Sequence, residues 1–226
     1  MLDVIYEDNQ IIVVIKPQNI PTQEDSSKDA DMLTLVKNYI KEKYNKPGNV
    51  FVGLVHRLDR PTGGVMVFAK TSKAAARLSE SIKENELKKN YLAIVLGTLK
   101  EKKQKLVNYL KKNEKTNTVT VVGQAVSGAK YAELDYTVIS EQKNTSLLKI
   151  NLVTGRSHQI RAQLSNLGNP IVNDVKYGSK TKGNLMLWAY ELKLVHPTTK
   201  QKMTFKVLPN YVGAWKVYEN AINTLA

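Results

Sequence analysis

The nine residues HRLDRPTGG (56–64) set a single carboxylate, Asp59, between Arg57 and Arg60, with the apolar runs FVGLV before and VMVFAK after. Neighbouring positive charge favours the ionised form of a carboxylic acid, so Asp59 is expected to be charged at neutral pH and competent as nucleophile or base. Pro61, Gly63 and Gly64 predict a tight turn that another chain can approach closely. Taken alone, the pattern fits a surface ion pair as well as a reactive group. A second stretch, TGRSHQIRAQLSNLGNPIVND (154–174), gathers Arg156, His158 and Arg161 within two helical turns of a Thr-Gly turn, a setting that suits phosphate. Arg161 lies beside the apolar face marked by Ile160 and Leu164, so its guanidinium is expected to reach inward and to need a carboxylate, for which Asp59 is a candidate. The alternative is a basic helix end that complements nothing in particular. In the third stretch, KKNYLAIVLG (88–97), Tyr91 heads a strand, and its ring is either a stacking surface for a base or an ordinary core or edge residue.

Other chemistries fit poorly. The chain has no cysteine, which excludes disulfides, thiolate metal sites and the zinc deaminase pattern, and fits a reducing cytosol. Its three histidines, His56, His158 and His196, are too dispersed for a local metal motif, and no HExxH, CxxC or P-loop signature occurs. A hydrolytic glycosidase wants two carboxylates across the scissile bond, and no second acid has a setting like that of Asp59.

The elements that must position these residues read as follows. IIVVI (11–15) is a buried strand, and DMLTLVKNYIKEKY (31–44) is a helix with Leu33, Val36, Ile40 and Tyr44 on one face. FVGLVH and GVMVFAK are strands on either side of the Asp59 turn, and SKAAARLSESIKENE (72–86) is an amphipathic helix capped by Thr71 or Ser72. The period then changes to two, predicting strands at 91–97, 105–110, 117–122, 130–140 and 146–153. A short helix over 157–168 uses Ile160, Leu164 and Leu167 as its apolar face, a hairpin follows through LWAYELKLVHP and KMTFKVLP, and VGAWKVYENAI forms a last helix. Strands in succession with irregularly placed helices predict an α+β fold with a mixed, mostly antiparallel sheet. The 226 residues are read as one domain, 1–226.

Charge points to the partner. Lys plus Arg number 34 against 20 Asp plus Glu, a net of +14, and the segment 70–115 alone holds 13 basic and 5 acidic residues. Such a surface attracts polyanions, nucleic acid first among them, although a solvated lysine-rich face kept for solubility has the same composition. No apolar run approaches the length of a membrane span and the N-terminus does not resemble a signal peptide, so a soluble cytoplasmic protein is expected, with a monomer as the default.

In this order the stretches resemble the RluA-type family of RNA pseudouridine synthases. HRLDRPTGGVMVFAK resembles the family's catalytic HRLD segment, KKNYLAIVLG its K-x-Y-x-A-x-V-x-G strand, and TGRSHQIRAQLSNLGNPIVNDVKYG its TGR-[ST]-HQIR helix and GxPIxGDxxYG turn. VIYEDNQIIVVIKPQNIPTQ is similar to the family's KPxGxP opening, and LWAYELKLVHPTTKQKMTFKVLP to its closing hairpin. Departures are Gly63 for Ser, Gln163 for His, Asn173 for Gly and Trp188 for His. The resemblance implies that the chain starts at the catalytic domain, without the S4-type RNA-binding domain expected in front of many relatives.

The resemblance implies an isomerase that converts uridine to pseudouridine in a ribosomal or transfer RNA stem-loop, with no cofactor and no metal. It implies that Asp59 attacks the ribose or takes a ribose proton, that Arg161 holds Asp59 in place, and that Tyr91 stacks on the uracil and handles its C5 proton. It further implies that Ile160 packs on the base's other side, that Arg57 fills the space the flipped base vacates, and that Arg156 with lysines of 70–115 grips phosphates, with His56 and His158 at the substrate. A non-catalytic RNA-binding protein on the same scaffold is the alternative; it predicts decay of Asp59, Tyr91 and Arg161, all of which stand.

Overall fold

The computed structural model describes residues 2–226. In chain order the elements are β1 (Asp3–Glu7), β2 (Ile11–Lys16), α1 (Met32–Lys43), β3 (Gly53–Leu54), β4 (Gly63–Ala69), α2 (Ser72–Lys83), β5 (Lys88–Leu96), β6 (Lys103–Asn113), β7 (Thr118–Val122), β8 (Lys130–Gln142) and β9 (Thr145–Leu152). They continue with α3 (Gln159–Asn166), β10 (Leu187–Val195), β11 (Lys202–Lys206), α4 (Ala214–Val217) and α5 (Glu219–Asn223). The fold is α+β, as the succession of strands predicted. The described residues group into two compact units, one of 2–88 with 189–207 and the other of 89–188 with 208–226.

In the first unit β1, β2, β4 and β10 lie in that order, with β3 on β4 and β11 on β10. Ile11, Val13, Val65, Val67, Leu192 and Leu194 form one face of this sheet and bury the Ala74–Leu78 side of α2. Thr71 caps α2 by accepting the Ala74 N–H at 3.1 Å, and Asp31 caps α1 by accepting that of Thr34 at 3.1 Å. The buried ridge of α1 is Met32, Val36 and Ile40, spaced four apart. Tyr44, expected on that ridge, lies half-exposed beyond the helix with its hydroxyl on Glu7 at 2.9 Å.

In the second unit β5, β9, β8, β6 and β7 form an antiparallel sheet in that order. Leu110, Val119 and Ala132 supply its inner face and pack on Ala162 of α3 and on Tyr177. Two predicted elements are shorter than their patterns. The FVGLVH strand is only β3, because from Val55 the backbone leaves the ladder and Leu58 bonds the Thr22 side chain instead. The last helix breaks into α4 and α5 at Tyr218, which is buried with its hydroxyl on Thr145 at 2.8 Å. Among the described residues no helix is long and apolar enough to cross a membrane.

Candidate active site

The Asp59 turn is held by a segment more than thirty residues away in sequence. Thr62 N–H closes the turn on the Asp59 carbonyl at 2.9 Å. Thr22 Oγ1 donates to the Leu58 carbonyl at 2.8 Å and accepts the Leu58 N–H at 3.2 Å. Asn19 N–H reaches the Arg60 carbonyl at 2.8 Å, and Gln18 Nε2 the Pro61 carbonyl at 3.0 Å. The strongest anchor is Lys16, the last residue of β2, which is 0 % exposed. Its ammonium donates to the carbonyls of Pro17 (2.9 Å), Arg60 (3.0 Å) and Thr62 (2.8 Å). Burial drives the Lys16 pKa down to about 7; the Asp59 charge pulls it up, and Arg60 pushes it further down. Asp59 is thus presented, half-buried, on a backbone that has little freedom to move.

The charge around Asp59 differs from the sequence expectation in one respect. Arg60 does not crowd the carboxylate: its guanidinium turns outward, with Nη1 on Ser27 at 2.9 Å, Nε on the Asn19 carbonyl at 3.1 Å, and Nη2 on Asp29. Asp29 and Asp25 have their pKa values lowered by these contacts, the first chiefly by Arg60 and the second chiefly by Ser27. Arg57 is exposed. His56 is buried and accepts the Val67 N–H of β4 at 3.1 Å through Nε2, so it braces the start of the turn. Gly64 fits only because it lacks a side chain: φ is +127°, and a Cβ would lie 2.2 Å from the Ala189 carbonyl oxygen on β10.

In the second unit Arg161 points inward as predicted and is 6 % exposed. A carboxylate comes from thirteen residues on: Nε and Nη2 each donate to Asp174 at 2.7 Å, in the parallel two-bond geometry that suits a guanidinium. The guanidinium carbon sits 4.8 Å from the Tyr177 ring centroid. The Tyr177 hydroxyl accepts the Val119 N–H at 2.9 Å and lies within hydrogen-bond distance of His158 Nδ1, 2.8 Å away. His158 itself adopts a left-handed conformation, φ 48°, at the entrance to α3. Arg161, Asp174, Tyr177 and His158 therefore form one network. Asp174 and Tyr177 went unassigned from sequence, although both lie in the quoted PIVNDVKYG run.

Tyr91, buried on β5, pairs across the ladder with Ile150, and Ile160 is buried in the first turn of α3. Arg156 is exposed and fixed through Nε to the Tyr131 carbonyl at 2.8 Å. Two of the departures from the family pattern have local causes. Asn173 has φ +68°, a conformation that glycine adopts freely and asparagine tolerates, and its side chain ties to the Asn184 carbonyl at 2.9 Å. Gln163 is buried and donates to Asn108 Oδ1 at 2.8 Å and the Leu106 carbonyl at 3.2 Å, which stitches α3 to β6.

Comparison with known proteins agrees with the five motifs. A family profile described as RNA pseudouridylate synthase matches residues 10–166. An uncharacterized RNA pseudouridine synthase of Helicobacter pylori is 33% identical over 223 residues, covering 91% of this chain and 66% of its own length, so the chain spans just under two thirds of that relative. The tRNA pseudouridine synthase C of Haemophilus ducreyi is 33% identical over 92% of this chain and 90% of its own. The ribosomal large subunit pseudouridine synthase C of Buchnera aphidicola subsp. Schizaphis graminum is 31% identical over 99% and 70%. Among solved structures, Human RNA Pseudouridylate Synthase Domain Containing 4 superposes with a TM-score of 0.78 at 20% identity, covering 98% of this chain and 93% of that one, which shows a shared fold. The Asp59 turn, the Arg161 network and this agreement along the chain lead to one statement: the protein belongs to the RNA pseudouridylate synthase family.

Proposed function

We propose that this protein isomerises uridine to pseudouridine in ribosomal or transfer RNA, acting as a monomer in the cytoplasm with its whole length serving as one catalytic domain. The observation that carries the reading is the Asp59 turn: one half-buried carboxylate whose flanking backbone is anchored by Lys16, Gln18, Asn19 and Thr22. Such restraint is wasted on a surface ion pair and suits a group that must meet a reacting carbon within a fraction of an ångström. In the reaction the C1′–N1 bond breaks, the uracil turns, C5 joins C1′, and the C5 proton is lost while N1 gains one. Atoms and electrons balance with no added reactant.

Asp59 acts on the ribose, either at C1′ or on a ribose proton. Tyr91 stacks on the base and handles the C5 proton, Ile160 packs on the base's other face, and Arg161 positions the reacting groups. Arg57 fills the gap left by the flipped nucleotide, and His56 serves by bracing the turn that carries it. Arg156, with lysines of the 70–115 segment, binds phosphates, and His158 orders the entrance of α3. The relatives named for transfer and ribosomal RNA support these two substrate classes.

The test is direct. The protein is incubated with cellular RNA carrying tritium at uridine C5; tritium release is followed and new pseudouridines are mapped. Asp59→Asn is expected to cut release at least about a thousandfold with RNA affinity nearly unchanged. Wild-type turnover in that variant would remove Asp59 from the mechanism, and no release by the wild-type protein on any RNA would remove the activity.

A further inference from the structure

Lys89 is an oddity among the cations of the second unit. It lies on β5, half-buried, with its ammonium packed over the Thr154–Arg156 loop: a Cβ on Gly155 would sit 3.1 Å from Lys89 Nζ. Among the described residues its ammonium makes no hydrogen bond and no ion pair. Burial lowers its pKa, and no neighbouring carboxylate offsets that effect. Lys16 and Arg161 are more deeply placed, yet the first has three carbonyls and the second a carboxylate. A partly desolvated ammonium with no counter-charge costs stability, and an arriving anion offsets that cost.

The strand supplies the position. Residues two apart on a strand share a face, so Lys89 and Tyr91 point to the same side of β5, about 7 Å apart. That is the scale of the separation between a nucleotide's base and its own phosphate. Arg156, next to Gly155, is fixed through Nε to the Tyr131 carbonyl, and its two Nη groups make no hydrogen bond or ion pair with the described residues. Two cations lacking counter-ions therefore border one glycine, on the side of the strand that carries Tyr91.

We infer that Lys89 is the ligand of a backbone phosphodiester flanking the target uridine, so that the Lys-x-Tyr spacing of β5 holds the two halves of one nucleotide, phosphate and base. The inference rests on the RNA-modifying reading above and names one contact within it. Gly155 is then needed as the residue over which Lys89 and the phosphate meet.

The experiment uses a stem-loop RNA containing the mapped uridine, with each of the two flanking phosphates replaced in turn by a neutral methylphosphonate. Wild-type protein is expected to bind one of these two RNAs about tenfold more weakly than the native RNA. Lys89→Met, which keeps an apolar stem of similar length, is expected to lose the same tenfold on native RNA and nothing further on that modified RNA. Its salt dependence is expected to flatten by about one unit in the log–log slope. Lys89→Arg is expected to retain most of the affinity. If neither neutral linkage weakens wild-type binding, or if Lys89→Met and the neutral linkage act additively, the contact is absent. The wild-type arm answers even should Lys89→Met fold poorly. A wild-type protein that forms pseudouridine but ignores both linkages overturns this inference and leaves the activity standing.

Discussion

Each unit buries a cation next to residues of the proposed site, and the two solve the same problem in different ways. In the first, Lys16 is enclosed by three neutral carbonyls, two of them from the Asp59 turn. In the second, Arg161 is gripped by the Asp174 carboxylate and faces the Tyr177 ring. Carbonyl dipoles satisfy the donors of an ammonium but do not neutralise it, so its proton is weakly held and its pKa falls to about 7. A carboxylate neutralises the charge and fixes its orientation with two parallel bonds. The first arrangement ties protonation to the shape of a loop; the second fixes the direction of a permanently charged guanidinium. The Asp59 turn is thus held by many directed bonds of modest strength, and the Arg161 guanidinium by a two-bond pair with a carboxylate.

The largest expected effect comes from splitting the strong pair. Asp174→Ala leaves Arg161 buried without that carboxylate, and about 3 to 5 kcal/mol of stability should be lost in urea denaturation. Replacing both, Arg161→Met with Asp174→Leu, should recover most of this loss while leaving the protein inactive, because stability and catalysis use the pair differently. A single-variant loss below about 1 kcal/mol would mean that Asp174 is not what makes Arg161 tolerable in the core, and the contrast with Lys16 would fail.

Next comes the weaker clamp. Lys16→Met keeps the volume of the stem and leaves the Arg60, Thr62 and Pro17 carbonyls without this donor. A loss of about 1 to 3 kcal/mol is expected, together with a fall in turnover of about ten- to a hundredfold and little change in KM for RNA. The KM-against-kcat split is the informative readout: a lysine that merely supported the fold would leave the turnover of the folded fraction intact.

These contrasts also show what could be read in advance. The strands and α2 were legible because their apolar residues follow periods of two and about 3.6, and the three positions proposed as catalytic drew notice because polar residues stood in glycine-containing motifs with family precedent. The partners were less legible. Lys16 sits in an ordinary strand, IIVVIK, and nothing local says that its ammonium turns to the carbonyls of residues 60 and 62, which are selected by tertiary packing. Arg60 sits beside Asp59 in sequence but faces Asp29, since adjacent residues in a turn can point apart. Asp174 lies one loop beyond α3, and its pairing with Arg161 follows from how that loop folds back, which charge counting along the chain does not reveal.

The effect that is smallest per step is one of pH, a gradual slope and not a jump, and it separates the two cations most cleanly. Unfolded, Lys16 keeps its proton to about pH 10; folded, it releases it near 7. Between these values the unfolded chain binds more protons, so stability contributed through Lys16 should rise as pH increases from about 7 towards 10, by no more than about 1.4 kcal/mol per pH unit. Below 7 both states are protonated and this group adds no slope. Lys89, whose pKa burial also lowers, contributes with the same sign, so the measurement is a difference: urea midpoints of wild type minus those of Lys16→Met across this range. A difference that grows with pH assigns the slope to Lys16. The Arg161→Met, Asp174→Leu protein should show the wild-type slope, since a guanidinium keeps its proton throughout. Turnover should move the opposite way, because a neutral amine has two N–H donors for three carbonyls and no longer presents a positive charge to Asp59, so the turn gains stability while it loses definition.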